Sequence, residues 1–192
     1  MTISRHKTLT TFVLVALLGG VSHGAEKVKA LIVTGFDVGS HKWEESAKLN
    51  QAILRESGRF EVVISDDKEV FASDELSDYG VLILNFGFWK EADPSDKAKE
   101  GLLNYVKDGG NVVALHFACS SFQEWKEYGE LLGRTWVKGT GGHGPYGEFT
   151  MNIKAADHPV TKGLKDFNTE DELYAKLTGD AEIEVLATAD SE

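Results

Sequence analysis

The sequence predicts an α/β protein with a doubly wound, mainly parallel sheet in a single domain. Two observations carry this prediction. Residues 27–36 and 79–88 are apolar at nearly every position, which is typical of strands covered on both faces. Segments with helical spacing alternate with the strands through short links, and this order indicates parallel βαβ units.

The predicted strands and helices follow one another along residues 27–132 in this alternating order. Further strands are predicted at 60–65 and 111–117, and a first helix over 43–57 with Gly58 just past its end. A second helix is predicted to begin with Asp93 as N-cap and Pro94 at its first position. Ser121, with Glu124 three residues later, has the pattern of a capping box and predicts a third helix that ends near Leu132.

The chain becomes glycine-rich after Gly133, and strands are then predicted at 148–154 and 182–189. No repeat, low-complexity tract or interdomain linker interrupts the sequence. We therefore expect one domain over residues 27–192.

Residues 1–24 have the pattern of a secretory signal peptide. Arg5 and Lys7 precede an apolar run over 12–18, and small residues lead to a cleavage point near Gly24 or Ala25. The run is shorter than the roughly 20 residues of a membrane span. The sequence therefore predicts a periplasmic or secreted protein that is not attached to a membrane after cleavage.

The composition excludes some classes of partner. The formal net charge is −11, and loss of Arg5 and Lys7 with the leader makes it −13. A chain this acidic lacks the basic surface that nucleic acids or anionic lipids need. Its single cysteine allows no internal disulfide, so stability must come from a packed core.

The segment "NVVALHFACSSF" (111–122) has the outline of a nucleophile elbow, a sharp turn from a strand into a helix. His116 occupies the position of the nucleophile, and the small residues Ala114 and Ala118 on either side suit a tight turn. Cys119 stands three residues too late and is expected to point away from the site. Because glutamine amidotransferases need a thiolate at the elbow, the sequence excludes that activity.

Several polar and aromatic residues follow the carboxyl ends of the predicted strands, where an open parallel sheet binds its ligands. The candidate site residues at these ends are Asp37, His41, Phe88, Trp89 and His116, and the glycine-rich segment adds His143, Tyr146 and Glu148. Phe88 and Trp89 fit packing under a loop as well as they fit ligand binding. Gly139, Gly141 and Gly144 spell G-x-G-x-x-G, but they lead into a strand and so offer no helix N-terminus to a phosphate.

Four segments together resemble the ThuA-like (trehalose utilisation) domain family: "ALIVTGFDVGSHKWEES", "VVALHFACSSFQEWKEYGELLGRTW", "HGPYGEFTMNI" and "DHPVTKGLKDFNTEDELY". The resemblance implies a flavodoxin-like, class I glutamine amidotransferase-like fold without the amidotransferase cysteine. It also implies carbohydrate metabolism beside sugar oxidoreductases that make 3-keto sugars. By position, it implies a site at His41, His116, His143 and Glu148. Members of the family usually continue beyond the equivalent of "VLATADSE", so the C-terminal part of the domain is expected to be truncated here.

These observations favour a protein that acts on glycosides or 3-keto sugars by proton transfer next to a carbonyl (isomerisation, epimerisation or elimination). His116 or His41 would be the base, with Glu148 and Asp37 sharing or tuning the proton. Trp89, Phe88 and Tyr146 would stack on the sugar. No cofactor is required by the sequence, although His41, His116 and His143 could hold a divalent metal.

Two other hypotheses stay open. The chain could be a non-catalytic sugar-binding or accessory module that keeps the fold of an enzyme. It could also be a hydrolase that uses Cys119 or Ser120 as its nucleophile.

Overall fold

The computed structural model describes residues 26–35 and 41–190 of the chain. Its central sheet has four parallel strands in the order β2-β1-β3-β4. The strands are β1 (Val28–Gly35), β2 (Phe60–Ser65), β3 (Val81–Phe86) and β4 (Asn111–Ala114). The predicted parallel α/β architecture is therefore confirmed. The predicted signal peptide and Asp37 lie outside the described residues.

Helices cover both faces of this sheet. They are α1 (Trp43–Glu56), α2 (Asp96–Lys107) and α3 (Lys126–Leu132), and short 3-10 helices span Lys68–Ala72, Asp74–Asp78 and His116–Ser120. Successive side chains of a strand point to opposite faces. In β1, Leu31 belongs to the core cluster that includes α2 and α3, whereas Ile32 belongs to the cluster that includes Ala47 of α1. This alternation explains why the strand is apolar throughout.

The larger core cluster is built around aromatic rings. The ring of Phe86 lies 4.9 Å from that of Phe88 and 5.4 Å from that of Phe122, measured between centroids. Tyr128 is also buried there, and its hydroxyl donates a hydrogen bond to the carbonyl oxygen of Ala118 at 2.8 Å. Burial of each such side chain contributes about 1.5–3 kcal/mol. The cluster therefore anchors the segment that follows β4.

Two predicted helix starts are wrong. The N-cap of α2 is Ser95, whose Oγ accepts a hydrogen bond from the amide of Ala98 at 3.3 Å, while the carboxylate of Asp93 pairs with Lys99 instead. Ser121 does not cap a helix: its Oγ accepts a hydrogen bond from the amide of Phe88 at 2.9 Å, and α3 begins only at Lys126. The start of α2 is decided by a better-placed hydroxyl, that of Ser95. The hydroxyl of Ser121 cannot cap α3 because it bonds to Phe88, which is distant in sequence.

The C-terminal part of the chain forms two small antiparallel sheets. One pairs β5 (Gly142–His143) with β8 (Tyr174–Ala175). The other has β6 (Gly147–Ile153) between β7 (Phe167–Asp171) and β9 (Ala187–Thr188), so the strand predicted at 182–189 is only two residues long. Among the helices of the described residues, none is both long and apolar enough to cross a membrane.

Candidate active site

A buried polar network fixes the segment that carries His41. The Asn85 side chain, at the end of β3, donates to Thr34 Oγ1 at 3.0 Å and to the carbonyl oxygen of Trp43 at 3.2 Å. Its Oδ1 accepts from Ser46 Oγ at 3.1 Å. Asn85 and Thr34 are almost fully buried, so these bonds are shielded from water. The start of α1, and with it His41, is thereby tied to the ends of β1 and β3.

The second histidine lies at the predicted elbow. β4 ends at Ala114, and His116 begins a 3-10 helix with φ of 35°. A positive φ is unfavourable for a residue with a side chain and persists only where the surroundings hold it. The strained turn is present as predicted, but a 3-10 helix rather than an α-helix follows it.

The β5–β8 pair brings the C-terminal part of the chain to the two histidines. Its register places His143 opposite Tyr174. The Tyr174 ring lies 4.1 Å from that of His116 between centroids, and its hydroxyl is 3.4 Å from His41 Nε2. His143 Nδ1 donates to the carbonyl oxygen of Gly144 at 2.8 Å.

Glu172 adds a carboxylate to this group. Its Oε1 lies 4.0 Å from His143 Nδ1. One ligand atom from each of His41, His116 and Glu172 can be chosen so that all lie within 4.8 Å of one another. We call the five residues His41, His116, His143, Glu172 and Tyr174 the histidine cluster.

The environment shifts two of these groups in opposite directions. Loss of water around its ring lowers the pKa of His116, and this outweighs the opposing effect of the Asp171 and Glu172 carboxylates. Burial raises the pKa of Tyr174 to about 12. These shifts favour the neutral imidazole of His116 and the protonated phenol of Tyr174, so the two groups can accept and donate hydrogen bonds side by side.

A cavity of about 180 Å³ opens beside the cluster, and Trp89 and Trp136 form part of its wall. The two indole rings meet edge to face, 5.8 Å apart between centroids. The indole nitrogen atoms of both are buried and lack a hydrogen-bond partner among the described residues. Buried donors are normally satisfied, so these two nitrogen atoms are exceptions among the described residues.

The structure brings four of the predicted site residues together: His41, Trp89 and His143 line the cavity, and His116 contacts Tyr174. Phe88 does not fit its predicted sugar-stacking role, because its ring is buried among Phe86 and Phe122.

Glu148 and Tyr146 also stand apart from the histidine cluster. Glu148 is exposed in β6, opposite Glu170 of β7, and the carboxylate beside the histidines is that of Glu172. Tyr146 is 63% exposed and does not line the cavity. The carboxylate that lies beside the histidines is therefore that of Glu172 and not the predicted Glu148, and stacking by Tyr146 receives no support from the geometry.

Sequence reasoning missed Glu172, Tyr174 and Trp136. Tyr174 and Glu172 stand in "DELY" (171–174), a stretch that the family resemblance already singles out. Nothing local marks them as site residues, because they reach the cluster through the pairing of β8 with β5. Trp136 follows α3, where a single aromatic residue is ordinarily read as core.

The groups that a hydrolase would need are poorly placed. Burial raises the pKa of the Cys119 thiol, which keeps it protonated and weakly nucleophilic. Ser120 Oγ donates to the carbonyl oxygen of Phe117 at 2.8 Å. A larger cavity of about 600 Å³, beside α3 and Thr178, is lined by no histidine. The geometry therefore does not favour the hydrolase alternative or a second catalytic centre at that cavity.

Comparison with known proteins agrees with this description. The family model ThuA, described as "Trehalose utilisation", matches residues 29–192. The fold is similar to that of a ThuA-like protein from Parabacteroides merdae, with 27% identity and a TM-score of 0.73, over 85% of this chain and 68% of that one. A ThuA-like protein from Bacteroides uniformis has 21% identity and a TM-score of 0.65, over 81% of this chain and 64% of that one, and supports the fold alone. No curated protein matches.

The parallel sheet and its structural neighbours define a class I glutamine amidotransferase-like fold, here with a histidine at the elbow. Because the family model spans most of the chain, the chain belongs to the ThuA family of trehalose utilisation. The family associates it with carbohydrate utilisation. It spans about two thirds of the length of the two solved proteins.

Proposed function

We propose that the histidine cluster binds a sugar that carries a carbonyl group and moves a proton at the adjacent carbon. The observation that carries this proposal is the packing of His116 against Tyr174, with ring centroids 4.1 Å apart, beside a cavity that Glu172 and His143 also line. A base and an acid held next to one another are what enolisation requires.

The chemistry is a balanced exchange of protons. His116 takes the proton from the carbon next to the carbonyl, and the Tyr174 hydroxyl donates its proton to the carbonyl oxygen, which gives an enediol. In an isomerisation, His116 returns its proton to the former carbonyl carbon, and Tyr174 takes the proton of the other enediol hydroxyl as the new carbonyl forms. In an epimerisation, Tyr174 recovers its own proton, and a proton from His41 reaches the opposite face of the original carbon. Glu172 compensates the positive charge on the imidazolium.

The cavity wall supports a sugar as the substrate. Trp89 and Trp136 contribute aromatic surface to the cavity wall, which suits the C–H face of a pyranose. The volume of about 180 Å³ is below the roughly 300–1,000 Å³ of pockets for drug-sized ligands. It therefore suits one sugar unit rather than an oligosaccharide.

Deuterium exchange tests the proposal directly. The protein is incubated in D₂O with glucose, trehalose and their 3-keto derivatives, and proton NMR follows the sugar. Deuterium entering beside the carbonyl, or a new sugar product, is expected with the parent protein and with His158→Ala, a distant histidine that pairs with Glu184. Both signals should disappear in His116→Ala and fall sharply in Tyr174→Phe. Full activity in His116→Ala would overturn the assignment of the base.

A non-catalytic sugar-binding module is the second candidate, and the aromatic wall formed by Trp89 and Trp136 favours it. In that case the sugar binds without exchange, and His116→Ala retains its affinity while Trp136→Phe loses affinity. Tryptophan fluorescence during titration with sugar measures both variants.

We also propose that the protein is exported and acts downstream of an oxidoreductase that forms the keto group. The pattern over residues 1–24 supports export. Amino-terminal sequencing of the protein from the producing cell tests it, since cleavage near Gly24 or Ala25 is expected and an intact Met1 would contradict it.

A further inference from the structure

We propose that His41, His116 and Glu172 form a binding site for one divalent transition-metal ion, with zinc as the best match. This inference rests on the geometry of the three side chains and not on the proposed reaction, in which His116 is the base only while no ion occupies its ligand nitrogen. It also changes the earlier expectation that His143 would be the third ligand, because the third donor is a carboxylate.

The three donors are close enough to share an ion. Their ligand atoms lie within 4.8 Å of one another. A tetrahedral zinc ion with bonds of about 2.0–2.1 Å holds its ligands roughly 3.4 Å apart. The difference is small enough for side-chain rotation to close it. Because the donors come from the start of α1, the elbow and the β7–β8 connection, a bound ion would join three separate parts of the chain.

The two histidines are positioned near one another before any ion binds, so only small side-chain rotations are needed. The His41 ring lies flat on Phe117, with centroids 4.4 Å apart. The positive φ of His116 fixes the direction in which its side chain leaves the elbow. Such preorganisation lowers the entropic cost of assembling a site.

Outer partners complete the arrangement. His143 Nδ1 lies 4.0 Å from Glu172 Oε1, and the Tyr174 hydroxyl lies 3.4 Å from His41 Nε2. A hydrogen bond such as that of Tyr174 orients a ligand of a metal site, whereas the Nδ1 proton of His143 is donated to Gly144, and His143 is only a neighbour of Glu172. The exposed carboxylate of Asp171 lies nearby and adds negative charge that favours a cation.

The donor set selects the class of ion. Two imidazoles with one carboxylate suit zinc and similar transition metals, whereas magnesium and calcium prefer oxygen ligands throughout. Three protein ligands leave one position open, as in catalytic rather than structural zinc sites. His41 and Glu172 line the cavity, so that position is accessible to a small molecule. An ion there would polarise a carbonyl oxygen or lower the pKa of a bound water.

Metal binding to the chelator-treated full chain tests the inference. Zn²⁺ is titrated by calorimetry, bound metal is counted by mass spectrometry, and Co²⁺ is used as a probe whose visible spectrum reports tetrahedral coordination. We expect one equivalent of Zn²⁺, with affinity at least about 100-fold weaker in His116→Ala and Glu172→Gln. His143→Ala should lose less than about 10-fold, because His143 Nδ1 donates to Gly144 and lies 4.0 Å from the Glu172 carboxylate. Circular dichroism establishes that each variant is folded.

His158→Ala is the matched control, because His158 pairs with Glu184 at 3.8 Å and does not belong to the three-residue group. It should leave the affinity unchanged. Less than one equivalent bound at micromolar Zn²⁺, or equal affinity in Glu172→Gln, would overturn the inference. Ion binding by a chain that shows no deuterium exchange when free of the ion would overturn the proposed reaction and leave the metal site standing. Exchange by a chain that binds no ion would overturn the metal site and leave the reaction standing.

Discussion

The imidazole of His41 is stacked on the ring of Phe117, with centroids 4.4 Å apart and planes only 9° from parallel. Phe117 is itself buried beside Gly87, where an added Cβ would lie 2.3 Å from the phenylalanine ring. Phe117, which directly follows the elbow residue His116, thus positions the imidazole of His41. Phe117 couples the end of β4 to the start of α1.

Phe117→Leu is expected to keep the fold and impair the site. Leucine fills much of the volume but cannot stack on His41, so the imidazole gains freedom. We expect about 10-fold slower deuterium exchange into a keto sugar, since small displacements of catalytic groups are costly. Phe60→Leu, at a half-buried phenylalanine in β2, is the control. Equal rates in the two variants would show that the stacking has no positioning role.

Asn85→Leu is expected to lower stability by about 1–3 kcal/mol, because it removes the partners of buried polar groups at nearly constant volume. The groups concerned are Thr34 Oγ1, Ser46 Oγ and the carbonyl oxygen of Trp43. Urea denaturation measures the loss, and faster amide exchange at the start of α1 should accompany it. Asn104→Leu, at an exposed position in α2, should change stability by less than about 0.5 kcal/mol.

Most of the central parallel sheet can be predicted from the sequence alone. Strands covered on both faces leave a continuous apolar signal, and β1 and β3 carry it. It also indicates that His41 and His116 lie at one edge, since the carboxyl ends of parallel strands meet there. Their convergence with His143 follows from long-range packing that the sequence suggests only through the family resemblance.

Residues that depend on antiparallel pairing across a long loop could not be predicted in the same way. Glu172 and Tyr174 reach the site because Tyr174 pairs with His143, which lies 31 positions earlier in the chain. The role of Phe88 is hard to predict for a related reason. The sequence shows that Phe88 follows a strand, but the direction of its side chain depends on packing against the Phe86 and Phe122 rings.

Gly101→Ala is expected to destabilise the protein, although alanine is the better helix former by about 1 kcal/mol. A Cβ at Gly101 would lie 1.9 Å from the carbonyl oxygen of Phe71, so α2 must move away from the 3-10 helix at Lys68–Ala72. We expect a net loss of about 1–3 kcal/mol in urea denaturation.

Gly129→Ala is the matched control for that variant. Gly129 is also helical, in α3, but the nearest atom to its added Cβ is 3.7 Å away on Thr135. We expect no loss, or a gain of about 0.4–1 kcal/mol. A gain in both variants would show that α2 can shift freely.

The Glu69 carboxylate joins the same 3-10 helix to the N-terminus of α2, and it makes stability depend on pH. It accepts hydrogen bonds from the side chain and amide of Ser95, which hold the pKa of Glu69 below its usual value of 4.5. A lowered pKa means that this contribution is present above about pH 4.5 and is lost as the pH falls through the lower folded value. Because the groups are largely exposed, we expect Glu69→Gln to cost only about 0.5–1 kcal/mol at pH 7. Urea denaturation from pH 7 down to about pH 3 should show that the difference in unfolding free energy between Glu69→Gln and the parent protein vanishes.

Glu100→Gln, elsewhere on α2, is the control and should have the same unfolding free energy as the parent protein at both pH values. A difference for Glu69→Gln that stays constant with pH would exclude a role for the charge.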